Sequence, residues 1–324
     1  MTISVDSKVG HSDLLRFAER SVNLPHPDVI EYRAQAQRLR DKLEAHIDEH
    51  PDFDLVKMRY AGSVAKGTAL RSINDMDVAV YVKAESAPGG DPSLIDWMYD
   101  RLRETYPMLD QDQFEKQHHC VTIAFRGSGL DVDVVPVLFE GDKNDYGYLI
   151  AKESGDRVKT SVSRHLEFIR TRKNRHPRHF RQLVRLAKYW ARQRKITDST
   201  FRFKSFIVEL IVAKLVDEGL DPSDYPSALT SFFAYIVRTG LRTRIAFSDY
   251  PESKPGPKEN TAIEICDPVN GNNNIAKRYG ERERLSIVQA AQEAFDAITF
   301  ARLTTTKEDA VVQWRLIFGP GFDA

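Results

Sequence analysis

The chain has 324 residues, of which 47 are Lys or Arg and 47 are Asp or Glu, so that no net charge attracts a nucleic acid over long range. The length fits one large or two ordinary domains, and the only two cysteines, Cys120 and Cys266, exclude a disulfide scaffold. There is no signal-peptide pattern and no apolar run of the roughly 18 residues that would span a bilayer, so we expect a cytoplasmic protein without membrane contact.

Two helices are predicted before residue 51. Leu14 and Phe17 indicate a short helix that ends before Pro25. In residues 28–50, apolar side chains recur three and four positions apart, which predicts a long helix with Asp28 as its N-cap. We expect this long helix to pack along the sheet that follows.

A strand carrying two aspartates is predicted next. The β-branched and aromatic run 78–82 is too short for a helix and is preceded by Asp75 and Asp77. Because side chains alternate along a strand, the two aspartates share one face and Met76 faces a core. Two neighbouring carboxylates repel each other unless a cation lies between them, so the pattern predicts a Mg²⁺ site.

Aspartates at the start of a strand are also common as turn residues. The segment upstream favours the catalytic interpretation. Gly62 and Ser63 form a small-residue turn where backbone N–H groups and a hydroxyl can approach an anion, and basic residues lie between this turn and the aspartates. The spacing therefore predicts a phosphate site beside the metal site.

A third carboxylate is predicted on a β-hairpin. Strands at 120–125 and 130–138 are joined by the Gly-rich turn 126–129, and the second strand contains Asp131 and Asp133 on one face. Asp133 is favoured as the partner of the first pair, because an apolar pair and a proline that can end the strand follow it; Asp131 is the alternative. Three carboxylates can hold two Mg²⁺ ions that activate a hydroxyl and stabilise in-line phosphoryl transfer.

The segment 164–195 is strongly basic, with twelve Lys or Arg residues and Glu167 as its single acid. It predicts a surface that faces a polyanion, such as a nucleoside triphosphate or a duplex nucleic acid. Lys188 lies on a helical pattern within it. Ser205 opens the following apolar helix, where it either caps the helix or contacts phosphate.

Several motifs together resemble one superfamily, the oligoadenylate-synthase and cGAS-like nucleotidyltransferases. Within it the chain resembles the bacterial, DncV-like CD-NTases of CBASS anti-phage systems, and in 16–25 and 201–206 the clade C enzymes that are encoded beside HORMA-domain proteins. The motifs are Gly-Ser-x-x-Lys-Gly-Thr-x-Leu-Arg at 62–71, Asp-x-Asp at 75–77, Asp-Val-Val-Pro at 133–136, Arg-Leu-x-Lys-x-Trp at 185–190, and Asp-Pro with Asn-Asn in 267–274.

The resemblance implies an α+β fold. A polymerase-β-like nucleotidyltransferase core with a mixed sheet and an N-terminal spine helix is expected in 1–160. A helical bundle like the C-terminal domain of oligoadenylate synthases is expected in 161–324, packed on the core and closing the nucleotide cleft.

The resemblance also implies roles for individual residues. Phe206 lies where relatives often have a tyrosine that stacks on the donor base, and it lacks that hydroxyl. The other matched positions are the metal triad Asp75, Asp77 and Asp133, the triphosphate turn Gly62 and Ser63, and the donor-triphosphate contacts Lys188 and Ser205.

The activity implied is Mg²⁺-dependent synthesis of a cyclic oligonucleotide from ATP or other NTPs, with cyclic triadenylate as the expected product and pyrophosphate released; Mn²⁺ is an alternative ion. A HORMA-domain activator, a TRIP13-like ATPase, a nuclease effector, and double-stranded DNA on the basic face 164–195 are implied partners. The alternatives are a linear oligoadenylate synthase, an AMP transferase acting on a macromolecule, and a silent nucleic-acid-binding module. Three repelling carboxylates argue against the last.

Overall fold

A computed structural model describes residues 8–48, 55–72, 75–83 and 93–324. The loop predicted at 87–90 and the end of the long helix beyond residue 48 lie outside the described residues. The helices are His11–Phe17 (α1), His26–Asp48 (α2), Gly62–Lys66 (α3), Leu94–Thr105 (α4), Val162–Arg175 (α5), Phe180–Thr197 (α6), Ser205–Asp217 (α7), Tyr225–Thr239 (α8), Glu281–Leu303 (α9) and Lys307–Phe318 (α10). The strands are Leu55–Tyr60 (β1), Asp75–Lys83 (β2), Phe114–Lys116 (β3), Val121–Phe125 (β4), Leu130–Phe139 (β5), Gly147–Ile150 (β6), Arg157–Thr160 (β7), Cys266–Asp267 (β8) and Asn270–Asn274 (β9).

The described chain divides into two compact units, one of residues 24–167 and the other of residues 8–23 with 168–324. The predicted domain boundary lies between residues 160 and 161. The observed division falls between residues 167 and 168, and a second division lies between residues 23 and 24, because the N-terminal segment groups with the C-terminal half. Phe17 of α1 is 1% exposed, and its ring lies 5.3 Å from Phe318 and 4.9 Å from Phe322. An apolar helix face groups with the residues that bury it, whatever their distance in sequence.

The first unit is built on a mixed sheet with the order β1-β2-β5-β4-β3, to which β6 and β7 are added through β5. Strands β2 and β5 are parallel, and the other neighbours are antiparallel. One face of the sheet shares a core with α2 and α4, in which Leu39, Met98 and Val80 are fully buried. This confirms the predicted packing of the long helix on the sheet.

The predicted start of the long helix is wrong. Helix α2 begins at His26, so Asp28 lies in its first turn, where its charge still opposes the positive end of the helix dipole. The strand predicted at 130–138 is confirmed as β5, which continues through Pro136 to Phe139, so the proline does not end it. The last β4 partner along β5 is Val134, so Pro136 lies where the strand has no β4 neighbour, and a missing N–H is tolerated at such a position.

The second unit is helical and has an aromatic core. Trp190 of α6 is fully buried, and its ring lies 4.8 Å from that of Phe233 of α8. The helix predicted at 281–301 is confirmed as α9, and α10, which was not predicted, follows it. Among the described helices, none is both long enough and apolar enough to cross a membrane.

Part of the basic segment is internal and therefore does not belong to the predicted polyanion-facing surface. Arg172 is 1% exposed, and its guanidinium donates to Asp249 Oδ1 at 2.9 Å and, through Nε, to Asp217 Oδ2 at 3.1 Å. The charge of Arg172 therefore holds α5 to two acidic positions of its own unit.

Replacing Arg172 by Met is expected to lower the free energy of unfolding by about 3 kcal/mol, because two carboxylates lose their common counter-ion. Thermal or urea unfolding measures this loss. Arg170→Met is the matched control on the exposed side of α5, and we expect it to stay within about 0.5 kcal/mol of the unsubstituted protein. Equal losses in the two variants would contradict a stabilising role for the buried ion-pair cluster.

Candidate active site

Four aspartates form two rows on the central strands of the sheet. In the parallel register of β2 and β5, Asp77 lies opposite Asp133, and Asp75 lies opposite Asp131. Since side chains alternate along both strands, all four occupy one face, whereas Met76 is 1% exposed on the other face. The structure therefore brings together the three predicted metal ligands, and also the alternative Asp131.

The position of Asp133 distinguishes it from Asp131. Asp133 is the direct neighbour of Asp77, and Thr122 on β4 donates a hydrogen bond from Oγ1 to Asp133 Oδ1 at 2.5 Å. That hydrogen bond fixes one carboxylate oxygen and leaves the other available. The register thus favours Asp133 as the third ligand. Thr122 was not predicted. Pairing the two strands of the predicted hairpin places Thr122 opposite Asp133, so the hairpin register could have identified it.

The pKa of Asp77 shows that burial and the neighbouring carboxylates disfavour its ionised form. Burial, followed by the charges of Asp133 and Asp75, raises the pKa of Asp77 to about 6, although the positive charge of Lys66 opposes the shift. Burial likewise raises the pKa of Asp133, with the charge of Asp75 adding to it. These carboxylates lack enough positive charge from the protein itself.

The predicted Gly-Ser turn is the first turn of the short helix α3, and it lies directly against Asp77. Gly62 has φ +65°, and a Cβ atom on it would lie 1.6 Å from Asp77 Oδ2. Ala61 N donates to the backbone oxygen of Asp77 at 2.9 Å. Ser63 follows within α3 and is half-buried. Only glycine, which has no Cβ atom, therefore allows the turn to approach Asp77 this closely.

The donor set suits Mg²⁺. Carboxylate oxygens are the hard ligands that this ion takes, usually one or two per ion together with water and substrate phosphates. In the part of the chain that the structure describes, no three acidic, His or Cys side chains are arranged so as to hold a metal by themselves. An open row of carboxylates that needs phosphate oxygens to complete the coordination fits this preference.

The remaining predicted site residues lie in the second unit. Lys188 is 4% exposed, and its Nζ lies 3.4 Å from Oε2 of Glu209, which is 1% exposed. Ser205 is exposed as the first residue of α7, where Lys204 takes the N-cap position without a side-chain cap, so Ser205 is not the capping residue. Phe206 is half-buried. Contact of these residues with a nucleotide stays a prediction.

Glu209 was missed by the reasoning from sequence. It is the one acid in the buried apolar stretch 206–213, and a charge in such a helix requires a partner. The helical spacing of Lys188 gave no indication that this lysine would be the partner, because the two helices are separate in sequence.

The raised pKa of Asp77 predicts a pH dependence. Between pH 4 and about 6 the folded protein holds a proton that the unfolded chain has released, so the metal-free protein loses stability as the pH rises through this window, by at most about 3 kcal/mol. Metal binding requires the ionised form. The Mg²⁺ concentration for half-maximal turnover should therefore rise up to about tenfold for each pH unit below 6. Mg²⁺ titrations between pH 5 and 8 measure this, and a requirement that does not change with pH would contradict it.

The chain is similar to known proteins in sequence and in fold. The profile of the Second Messenger Oligonucleotide or Dinucleotide Synthetase domain matches residues 11–172. The chain is 50% identical over 315 residues to the cyclic AMP-AMP-AMP synthase of Escherichia coli (strain MS 115-1). The aligned residues cover 97% of this chain and 98% of that protein.

Two solved structures of E. coli MS115-1 CdnC are similar in fold and sequence. The structure with ATP superposes with a TM-score of 0.89 at 49% identity, covering 98% of this chain and 100% of that one. The complex of CdnC with HORMA-deltaN gives a TM-score of 0.88 at 48% identity, covering 98% and 99%. These matches confirm the predicted α+β nucleotidyltransferase fold, in a family that is generally metal-dependent. The chain therefore belongs to the Second Messenger Oligonucleotide or Dinucleotide Synthetase family, as a CBASS nucleotidyltransferase that synthesises cyclic oligonucleotides.

Proposed function

We propose that this enzyme joins three molecules of ATP into cyclic AMP-AMP-AMP and releases pyrophosphate. The observation that carries the proposal is the 50% identity to a cyclic AMP-AMP-AMP synthase over 97% of the chain. The ATP bound by the similar CdnC structure supports the choice of substrate.

In this proposal Asp75, Asp77 and Asp133 hold two Mg²⁺ ions. Bound divalent ions would supply activation of the attacking hydroxyl and compensation of charge on the phosphates. The protein fixes where the carboxylates and the triphosphate turn lie. Thr122 orients Asp133, and the backbone of Gly62 allows the turn to lie against Asp77. Mn²⁺ can take the same oxygen ligands.

The donor nucleotide is proposed to contact three residues of the second unit. Ser205 lies exposed at the positive end of a 13-residue helix, which favours an anion such as a phosphate. The triphosphate would share the ammonium group of Lys188 with Glu209. Phe206 would offer an aromatic face to the base without the hydrogen bond that a tyrosine makes.

A HORMA-domain protein is the proposed activator, because CdnC of 48% identity forms such a complex. The TRIP13-like ATPase, the nuclease effector and duplex DNA remain predictions from the resemblance. For DNA, the exposed part of the basic segment is the candidate surface. Its exposed members are Arg170, Arg175, Arg178, Arg192 and Lys195.

Incubation with labelled ATP and Mg²⁺, with and without a HORMA protein and duplex DNA, tests the proposal. The expected product is nuclease-sensitive and phosphatase-resistant, since a ring has no terminal phosphate, and its mass equals that of three AMP residues. A phosphatase-sensitive ladder would identify a linear oligoadenylate synthase, and label on a macromolecule would identify an AMP transferase. DNA binding without turnover under any of these conditions would identify a silent module.

A further inference from the structure

The second unit buries a lysine–glutamate pair in which only the lysine is assigned a contact with the nucleotide. Lys188 of α6 and Glu209 of α7 are 4% and 1% exposed, and Nζ of Lys188 lies 3.4 Å from Oε2 of Glu209. The neighbours of Glu209 in the chain, Val208 and Leu210, are fully buried. Replacing a buried ion pair by apolar residues is often neutral or even stabilising, so stability alone does not account for this pair.

The geometry of this pair differs from that of the buried arginine in the same unit. Arg172 donates to Asp249 at 2.9 Å and to Asp217 at 3.1 Å, within the usual range of N–H···O hydrogen bonds, about 2.7–3.2 Å. At 3.4 Å the contact between Lys188 and Glu209 is longer than this range. A lysine ammonium also carries rotatable donors on a flexible stem, so it adapts to a second acceptor more readily than a guanidinium that is fixed on two carboxylates.

Helical spacing places Glu209 next to the proposed phosphate contact. Ser205 and Glu209 are four residues apart in α7, so their side chains lie on the same face of the helix, about one turn from each other. Ser205 is exposed at the positive end of the helix, whereas Glu209 is buried. Lys188 contacts this face from α6. A phosphate at Ser205 and the carboxylate of Glu209 would therefore compete for one ammonium group.

Each proposed transfer leaves pyrophosphate to be released. A hydroxyl oxygen forms a bond to the α-phosphorus of ATP and gives its proton to water, while the bond from the α-phosphorus to the oxygen bridging to the β-phosphate breaks and pyrophosphate leaves with that electron pair. Contacts to the β- and γ-phosphates are similar in ATP and in departing pyrophosphate, so tighter contacts hold the product as well as the substrate. Because product release limits turnover in many enzymes, the strength of these contacts sets a limit on the rate.

We propose that Glu209 is a positioning residue that competes with phosphate oxygens for the ammonium group of Lys188 and thereby allows pyrophosphate to leave after each transfer. The carboxylate holds Lys188 before the nucleotide binds and takes it back when the phosphates depart. This inference rests on the proposed function, because it requires Lys188 to contact the donor triphosphate.

Glu209→Gln keeps the size of the side chain and one acceptor oxygen but removes the competing charge. We expect this variant to bind pyrophosphate about tenfold more tightly in the presence of Mg²⁺, as measured by calorimetric titration of the full chain. KM for ATP and kcat should both fall about three- to tenfold, so that kcat/KM changes little. Glu218→Gln is the matched control, since Glu218 pairs with Lys214 at 3.1 Å but is half exposed. It should change none of these values by more than about twofold.

A purely structural role of Glu209 would have a different signature. It would lower the melting temperature and the fraction of active enzyme, and with it kcat, but would leave KM and the affinity for pyrophosphate unchanged. Such a result for a folded Glu209→Gln would overturn the proposal. Glu209→Asp keeps the charge at a greater distance from Lys188, so its affinity for pyrophosphate should lie between those of Glu209→Gln and the unsubstituted protein. If Glu209→Gln does not fold, an unchanged affinity in Glu209→Asp overturns the proposal instead.

A Lys188→Met background shows whether the effect passes through the ammonium group. Lys188→Met should weaken pyrophosphate binding about tenfold or more, and adding Glu209→Gln to it should change the affinity less than about twofold. An equal gain from Glu209→Gln with and without Lys188 would mean that Glu209 repels phosphate directly, which contradicts competition for the lysine. If the unsubstituted enzyme makes no cyclic nucleotide, the proposed function fails, while the pyrophosphate affinities still decide whether Glu209 competes for Lys188.

Discussion

Asp133→Asn is expected to reduce pyrophosphate release at least about a thousandfold, since several kcal/mol of metal-borne charge stabilisation is lost in the transition state. Asparagine has nearly the same shape as aspartate and can still accept the hydrogen bond from Thr122, so the fold should be kept. Removing one charge beside Asp77 should even raise the melting temperature of the metal-free protein slightly, because burial and repulsion already disfavour the ionised row.

The matched control is Asp131→Asn, which removes the same charge from the same face of the same strand, two positions away. Asp131 lies opposite Asp75 rather than Asp77, so we expect it to keep most of the activity. Turnover with Mg²⁺ and thermal unfolding are measured on both variants. An active Asp133→Asn together with an inactive Asp131→Asn would assign the third ligand to Asp131.

Gly62→Ala is expected to remove activity and to destabilise the first unit by about 2–4 kcal/mol. A positive φ costs a non-glycine residue about 1–2 kcal/mol, and the added methyl group, 1.6 Å from Asp77 Oδ2, must displace either α3 or the carboxylate. Thermal unfolding measures the first effect and turnover measures the second.

Gly127→Ala provides the comparison, because a Cβ atom on Gly127 meets nothing within 4 Å. It should leave both stability and turnover unchanged. Combining Gly62→Ala with Asp77→Ala should recover part of the lost stability, since the steric conflict is removed. Additive losses in the double variant, or an active Gly62→Ala, would contradict the close approach of the turn to Asp77.

Much of the site follows from local sequence. Strand alternation placed Asp75 and Asp77 on one face and Met76 in the core, and the structure confirms both. Strands β4 and β5 were also predictable from short-range patterns. The parallel pairing of β2 with β5 was not, because parallel strands pair across a long connection and no local residue specifies the register.

Contacts between residues that are far apart in sequence explain the other differences between the predicted and the observed structure. The affiliation of α1 with the C-terminal half depends on Phe17 meeting Phe318 and Phe322, which no periodicity within the first 24 residues encodes. For the same reason the internal position of Arg172 could not be read from a charge count. A count of basic residues does not separate those that face solvent from those that acidic residues elsewhere in the chain will bury.

The parallel register of β2 and β5 also has a consequence for synthesis of the protein. Asp77 and Asp133 meet only through pairing that closes a long loop, and such contacts form slowly during folding. A nascent chain that has not yet released β5 from the ribosome contains the turn and the first two aspartates but not the third. Under the proposed assignment of Asp133 as the third metal ligand, such a chain would lack a complete metal site and would make no signalling nucleotide.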